Sequence, residues 1–259
     1  MKKIVVISGS GNKNGIGINT LKMFKENFDE KEYEFEIIHL TDYYLNPCKG
    51  CTMCFKKGEE YCPLKDDVSK IVNIIDDSDA IIIISPIYAM NISGSLKTFI
   101  DRTSYALHRP RFQNKYAFII TTTDGAGIKH VTMYLKYMLN AYLINFAGSQ
   151  GVYSYLFKND ENYKIKLKKE LMEKAKKFKA EINRGKEYQP SFMQLARFNA
   201  WRVKGIMSKD SYLKDSSYWE EKKLLEADYF YPIKLNNFKK VLLKLISKRI
   251  KSLLSKKIK

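Results

Sequence analysis

Ala80-Ile81-Ile82-Ile83-Ile84-Ser85, followed directly by Pro86-Ile87-Tyr88, is a nearly continuous apolar run that breaks at a proline. The run reads as a central strand covered on both faces, feeding a bent loop. Lys3–Ser8 has the same character, and Glu34–Leu40, Tyr116–Thr123 and Asn145–Tyr153 supply three more β-rich runs. Helix-like segments alternate with them at Asn19–Phe28, Asp66–Ile75, Ser93–Tyr105 and Ile128–Leu143. A long charged helix at Glu161–Asn183 closes the series. Strand and helix thus alternate five times. This order predicts an α/β fold, a five-stranded parallel sheet doubly wound by right-handed crossovers into a three-layer α/β/α sandwich.

After Gly185 the alternation stops. Tyr188–Met207 reads as a helix entered through Pro190, Ser211–Asp228 as a second, and a basic amphipathic helix runs from Asn237 after a turn at Tyr231-Pro232. The expected organisation is a sheet domain over 1–185, with a cysteine loop at 46–65, and a basic helical C-terminal extension over 186–259 packed on it. With 259 residues, 45% of them apolar and 29% charged, the chain is globular in composition and long enough to bury a real core. No apolar run reaches the length of a bilayer span. The opening MKKIVVISGSG reads as a buried first strand rather than a secretory signal, which places the chain in the cytoplasm.

The net charge of +18 raises nucleic acid as a partner, but its distribution argues against one. Residues 1–184 carry a net +7 and residues 185–259 a net +11, and Asn237–Lys259 holds nine Lys or Arg and no acid. No recognition motif accompanies this excess. Phe238, Leu242, Leu245, Ile246, Ile250, Leu253 and Leu254 fall at helical spacing among these lysines. Such a helix either lies on an anionic membrane surface or docks a partner, or is simply a packed or solvated end.

Ligands in an open α/β sheet bind outside the carboxyl ends of the strands, where strand order reverses. The first strand is followed by Ser8-Gly9-Ser10-Gly11-Asn12-Lys13-Asn14-Gly15-Ile16-Gly17-Ile18-Asn19-Thr20. Its backbone N–H groups at a helix start can cradle a phosphate; the alternative is a flexible Gly/Asn surface turn. It lacks the Gly-Lys-Ser/Thr of a P-loop and the dinucleotide fingerprint. The third strand leads into Ser85-Pro86-Ile87-Tyr88-Ala89-Met90-Asn91-Ile92-Ser93-Gly94, a bent loop able to face a flat ring. The fourth leads into Thr121-Thr122-Thr123-Asp124-Gly125-Ala126-Gly127 at the same edge. Together the three loops outline one crevice.

The only cysteines are Cys48, Cys51, Cys54 and Cys62, spaced C-x2-C-x2-C-x7-C with Pro63 after the last, in the loop that leaves strand two beside this crevice. Disulfides are rare in the cytoplasm, so the cluster points to metal or redox chemistry. The spacing echoes ferredoxin runs that wrap a cubane and also end in Cys-Pro. Zinc is the weaker reading, because no histidine lies in the loop and zinc modules pair two knuckles across a longer gap. Free thiols in a lid over the crevice are the other alternative.

SGSGNKNGIGINT, PCKGCTMCFKKGEEYCPLKDD, SPIYAMNISGSLKTFIDR and TTTDGAG, in this order, resemble the NAD(P)H-dependent FMN reductase and iron–sulfur flavoprotein families of the flavodoxin-like superfamily, over residues 1 to about 155. The resemblance implies FMN with its phosphate at the first loop, at Ser8, Ser10, Asn19 and Thr20. It implies a ring held by Pro86, Ile87, Tyr88, Asn91 and Ile92, aided by Thr123, Asp124 and Gly125. It also implies a [4Fe–4S] cluster on Cys48, Cys51, Cys54 and Cys62, and a homodimer or homotetramer. The phosphate loop is longer than the family's usual pattern and lacks its common Pro-Arg pair.

The function expected is an FMN-dependent oxidoreductase, taking electrons from NAD(P)H or a ferredoxin-like donor and passing them to a quinone, oxygen species or other small acceptor. The alternative is a non-enzymatic iron–sulfur flavoprotein electron carrier. No protein acid or base is required, and none is singled out as catalytic. His39 reads as a strand-end residue, His108 and His130 as isolated, and Asp66-Asp67 as a helix start with a structural role. The aromatic residues of the extension, Trp201 and Trp219 among them, read mainly as core.

Overall fold

The computed structural model of the chain describes residues 1–185, 189–207 and 211–255. Strands β1 (Lys2–Ser8), β2 (Tyr33–His39), β3 (Ala80–Pro86), β4 (Tyr116–Thr123) and β5 (Asn145–Tyr153) form one sheet in the order β2-β1-β3-β4-β5. All four neighbouring pairs are parallel. This is the flavodoxin-like order, and it reverses between β1 and β3.

Side chains alternate across a strand, so the apolar runs of β1 and β3 fill two cores at once. Val5, Ile7, Ile81 and Ile83 face α3 (Val68–Asp76), α4 (Gly94–Arg102) and α6 (Ile128–Ala141). Ile4, Val6, Ile82 and Ile84 face α1 (Ile16–Lys25) and α8 (Glu161–Arg184). The amphipathic stripe of α8 buries Leu167, Leu171, Ala175, Phe178 and Ile182. Phe178 meets Phe24 and Phe118, with ring centroids 6.0 and 5.8 Å away, which locks the helix over the sheet.

Several boundaries differ from the sequence expectation. α1 begins at Ile16 rather than Asn19, so Asn19 and Thr20 lie within its first turns rather than at its start. The expected Ser93–Tyr105 helix divides into α4 and a single turn, α5 (Tyr105–His108). Short helices α2 (Met53–Lys56) and α7 (Ser154–Asn159) were not anticipated. Tyr188 lies outside the described residues, and α9 spans Phe192–Met207. α10 spans only Leu213–Glu221, because Lys223 adopts a left-handed φ of 55° that ends the helical path well before Asp228.

The segments after Gly185 build a third core. Leu195, Phe198, Trp219, Leu224 and Tyr229 pack with Leu143 from the sheet domain and Leu243 from α11 (Asn237–Ser255). Close contact between α9 and α10 depends on Gly205, where a Cβ would stand 2.3 Å from Trp219 Cδ1. Gln194 donates to Asn145 Oδ1 at 2.8 Å, and Tyr218 donates to the Pro110 carbonyl at 2.7 Å, so polar bonds also join this core to the sheet domain.

The amino end of the sheet is stapled by Asp79. Its carboxylate accepts from Lys3 N at 2.9 Å and Lys2 Nζ at 3.0 Å. Burial works against the charged form, but these two donors outweigh it and hold the carboxyl below its usual value of 3.8. The folded state therefore binds this proton less tightly than the unfolded state does. Its contribution is full above the ordinary aspartate value and is lost as pH falls through the depressed folded value. Asp79→Asn is expected to flatten the acid limb of stability, measured as thermal midpoints of variant and parent from neutral pH down to about pH 3.

Candidate functional site

At the carboxyl edge of the sheet, the loops after β1, β3 and β4 and the start of α7 and α8 enclose a crevice of about 530 Å3. Its walls are Asn12, Asn14 and Asn19 on one side, Pro86, Ile87, Tyr88, Thr123 and Asp124 on a second, and Phe157, Lys158 and Lys164 on a third. The loop after β1 is a built structure. Ser8 Oγ accepts from Ser10 N at 3.3 Å, Ser10 Oγ from Asn12 N at 3.2 Å, and Asn12 Oδ1 from Asn14 N at 3.0 Å. These successive side-chain turns deliver the chain to Gly15, where α1 starts with no side-chain cap and no acid in its first turn. Unclaimed N–H groups at a helix start favour an anion.

The expected phosphate residues occupy different depths. Asn19 lines the crevice and donates to the Asn14 carbonyl at 3.2 Å. Ser10 is half-buried in the loop, and Ser8 is fully buried beneath it. Thr20 is also fully buried, its hydroxyl donating to the Ile16 carbonyl at 2.8 Å. Lys158 and Lys164, which no motif singles out, stand on the crevice wall; Lys164 is also 2.9 Å from Glu161.

At the other end of the crevice, Tyr88 and Asn91 exchange both backbone hydrogen bonds, at 3.0 and 2.9 Å. Between them Ala89 and Met90 adopt φ of 47° and 63°, a tight hairpin turn that normally selects Asn-Gly. Two left-handed non-glycine residues in a row cost of order 1–3 kcal/mol each and recur at ligand clamps. The turn thrusts Tyr88 outward, 60% exposed. Gly127, with φ of 100°, lets the third loop pass beneath; a Cβ there would stand 3.1 Å from Ile87 Cγ2 and 3.4 Å from Met90 Sδ. Asn91 and Thr123 shape these loops from within. Asn91 Oδ1 accepts from Ile92 N at 2.8 Å, and Thr123 Oγ1 accepts from Gly125 N at 3.1 Å. Ile92 is buried in the core, while Asp124 and Gly125 are exposed at the loop tip.

A second cavity, of about 490 Å3, is lined by Cys48, Cys51, Cys54 and Cys62. Left-handed φ at Gly50 (65°), Thr52 (60°) and Gly58 (132°) turns the chain repeatedly, so that it curls around this space. Asp66 and Asp67 tie the end of the loop to its beginning: Asp66 accepts from Asn46 N at 2.9 Å and Asp67 from Tyr44 N at 2.8 Å. Asp66 forms a buried ion pair with Arg102, whose Nη2 also lies 3.5 Å from Cys62 Sγ. Burial pushes the Cys54 thiol up to about 11, although the Arg109 guanidinium opposes the shift. Cys48 and Cys51 are exposed. Among the described residues, no group of three or more Cys, His, Asp or Glu converges to hold a metal ion. A cubane engages its thiolates through separate irons, so four cysteines around one cavity suit it better than they suit zinc.

The crevice and this cavity share no lining residue. α4, a helix on the order of 13 Å long, starts from the loop that bears Tyr88, and its last residues, Asp101 and Arg102, line the cysteine cavity. The cysteine loop leaves β2 at the crevice edge, and its Glu59 pairs with Arg111, which also pairs with Asp76 at the end of α3.

The profile of the NADPH-dependent FMN reductase family matches residues 2–154, more than half of the chain. The chain belongs to this family. An iron-sulfur flavoprotein of Archaeoglobus fulgidus is 34% identical over 141 residues, covering 54% of this chain and 63% of its own. The iron-sulfur flavoprotein MJ1083 of Methanocaldococcus jannaschii is 39% identical over 104 residues, covering 39% of this chain and 51% of its own. The chain thus spans between about half and two thirds of the length of these archaeal relatives. A Bacillus subtilis protein named as an NAD(P)H-dependent FMN-containing oxidoreductase is 34% identical, over 56% of this chain and 79% of its own. Among solved structures, RosB with a bound 8-demethyl-8-formylriboflavin-5'-phosphate intermediate shares the fold at a TM-score of 0.55 and 11% identity, covering 92% of both chains. A flavone reductase does so at 0.53 and 15%, covering 68% of this chain and 63% of its own.

The matched FMN reductase region ends at residue 154, yet the cysteine loop leans on residues beyond it. His108 is stacked between Phe55 of the loop and Trp201 of α9, with centroids 4.4 and 4.3 Å away, and its Nδ1 lies 2.6 Å from Asp215. Arg109 donates to the Cys54 carbonyl at 2.9 Å and pairs with both Asp215 and Glu59. Neither His108 nor Arg109 stood out in sequence, because their partners lie about fifty and a hundred residues away. Arg102→Ala leaves Asp66 buried without its countercharge and is expected to cost about 3–5 kcal/mol of stability. Urea denaturation should show that loss, with part of it recovered when Asp66 is also replaced by Ala.

Proposed function

We propose that this chain is an FMN-dependent oxidoreductase, drawing electrons from NAD(P)H or a ferredoxin-like donor and delivering them to a quinone, oxygen species or other small acceptor. The observation that carries the reading is the crevice itself: an uncapped helix start at one end and the strained Tyr88–Asn91 hairpin at the other, at the sheet edge where strand order reverses. These residues fit FMN. The first-turn N–H groups of α1, with Ser10, Asn19 and Lys158, would hold its phosphate, while Ile87, Tyr88, Thr123 and Asp124 would flank its ring. When bound, FMN supplies hydride and single-electron transfer. The chain's part is to bind, orient and exclude water. A homodimer or homotetramer belongs to the same reading, supported by the exposure of Tyr88 and Met90. So does a cytoplasmic setting, which keeps thiols reduced.

FMN titration of the apoprotein, followed by quenching of flavin fluorescence, should give stoichiometric binding. Protein that stays colourless after reconstitution would sink this reading. Lys158→Ala is expected to weaken FMN about three- to thirty-fold and riboflavin hardly at all, since only FMN carries the phosphate. Anaerobic bleaching by NADH or NADPH without an added carrier would favour the reductase; bleaching only through a ferredoxin would favour the electron carrier.

The second part of the proposal is a [4Fe–4S] cluster on Cys48, Cys51, Cys54 and Cys62, supported by their shared cavity and by Arg102 against Cys62. Iron and acid-labile sulfide near four each per chain are expected after anaerobic purification. Cys51→Ser should remove both while FMN stays bound.

A further inference from the structure

Helix α11 carries an arrangement that neither the crevice nor the cysteine cavity uses. It packs on α9 and buries only Leu243, leaving Phe238 76%, Val241 57% and Leu245 56% exposed. These three recur at i, i+3 and i+7 and share one outward face. Lys240, Lys244, Lys248 and Lys251 project along one flank of that stripe and Arg249 along the other, all exposed. Among the described residues, no carboxylate pairs with any of these five.

We propose that α11 docks this protein on an anionic lipid bilayer, lying in the interface plane with Phe238, Val241 and Leu245 inserted and the flanking lysines on headgroup anions. A surface helix with large apolar residues inside a basic rim binds lipid through both features. Lysine stems cover apolar surface while their ammonium groups reach outward, so stripe and rim can meet one plane. Spanning is not involved, because no described helix is long and apolar enough to cross a membrane. A second copy is a poor occupant for the same face, since it would bring two uncompensated basic helices together. Charge complementarity selects an anionic surface, and the exposed Phe and Leu select one that can be penetrated. The inference does not depend on the flavin or cluster readings.

The test is co-sedimentation of the full chain with vesicles of phosphatidylcholine alone or mixed with phosphatidylglycerol. Binding to the mixed vesicles and little to the neutral ones is expected, falling steeply as salt rises. Lys244→Gln/Lys248→Gln/Lys251→Gln should lower partitioning by about a hundred-fold, at about five-fold per charge. Phe238→Ser/Leu245→Ser should lower it at least about ten-fold. All five positions are exposed, and unchanged circular dichroism confirms that each variant is folded. Absence of binding to the mixed vesicles overturns the proposal. Binding indifferent to Phe238→Ser/Leu245→Ser also overturns it, because charge alone would then account for the attraction. A vesicle-free oligomer that dissociates in that double variant, with no vesicle binding by the parent, assigns the stripe to a contact between copies instead.

Discussion

The structure depends on the burial of β1 and β3 on both faces. Their backbone N–H and C=O groups have no access to water, so each must pair with a neighbouring strand, and parallel pairing requires a crossover helix above or below. Everything functional inherits its place from this. The crossovers return the chain to the amino edge and leave the connecting loops at the carboxyl edge. Three glycine- and hydroxyl-rich loops therefore meet there, and they are joined by Ile87 N donating to the Thr122 carbonyl at 2.8 Å and Ser95 Oγ donating to the Gly9 carbonyl at 3.1 Å. The strain of the Tyr88–Asn91 hairpin is sustained because β3 and α4 fix both of its ends and the loop through Gly127 fills the space beneath it.

The cysteine loop obeys a different constraint. It has no regular sheet to lean on, and its backbone is held by buried charge pairs instead. Arg102 reaches it from α4 and Arg109 from the end of α5; each guanidinium is paired with a buried aspartate and donates to a loop carbonyl, that of Asn46 or Cys54. Such pairs are costly to bury and more costly to break, so they fix a conformation more than they stabilise the fold. One of the two aspartates, Asp215, belongs to α10, beyond the region that matches the FMN reductase family. The extension therefore braces the cysteine loop from outside, through Asp215 and Trp201, as well as forming a core of its own.

The separation of the two cavities follows from the same geometry. α4 runs antiparallel to β3, so its start adjoins the loop that bears Tyr88 while its last residues, Asp101 and Arg102, line the cysteine cavity. The cysteine loop is braced on that end of the helix, where Arg102 holds Asn46 and Asp66. The connection between crevice and cysteines is thus one rigid helix, packed on the sheet through Leu96 and Phe99.

The strands, their parallel order and the crevice loops were legible in the sequence because each is local. Apolar period decides a strand, and Gly or Pro decides where it turns. Residues such as Tyr88, Asn19 and Asp124 could be placed at one edge on that basis alone. The start of α1 was misplaced, because Gly15 and Ile16 carry little helical signal and the turn of Ser8, Ser10 and Asn12 side chains sets the boundary. The course of the cysteine loop, the sandwich of His108 between Phe55 and Trp201, and the pairing of Arg109 with Asp215 were not legible. Each joins segments far apart in the chain, and no periodicity or spacing encodes such a contact. The sequence by itself determined which elements form, in what order, and that four thiols lie in one loop. Only the tertiary structure decided which face of α4 those thiols meet and which distant charges hold them, because buried ion pairs form only after the sheet has brought their partners within reach.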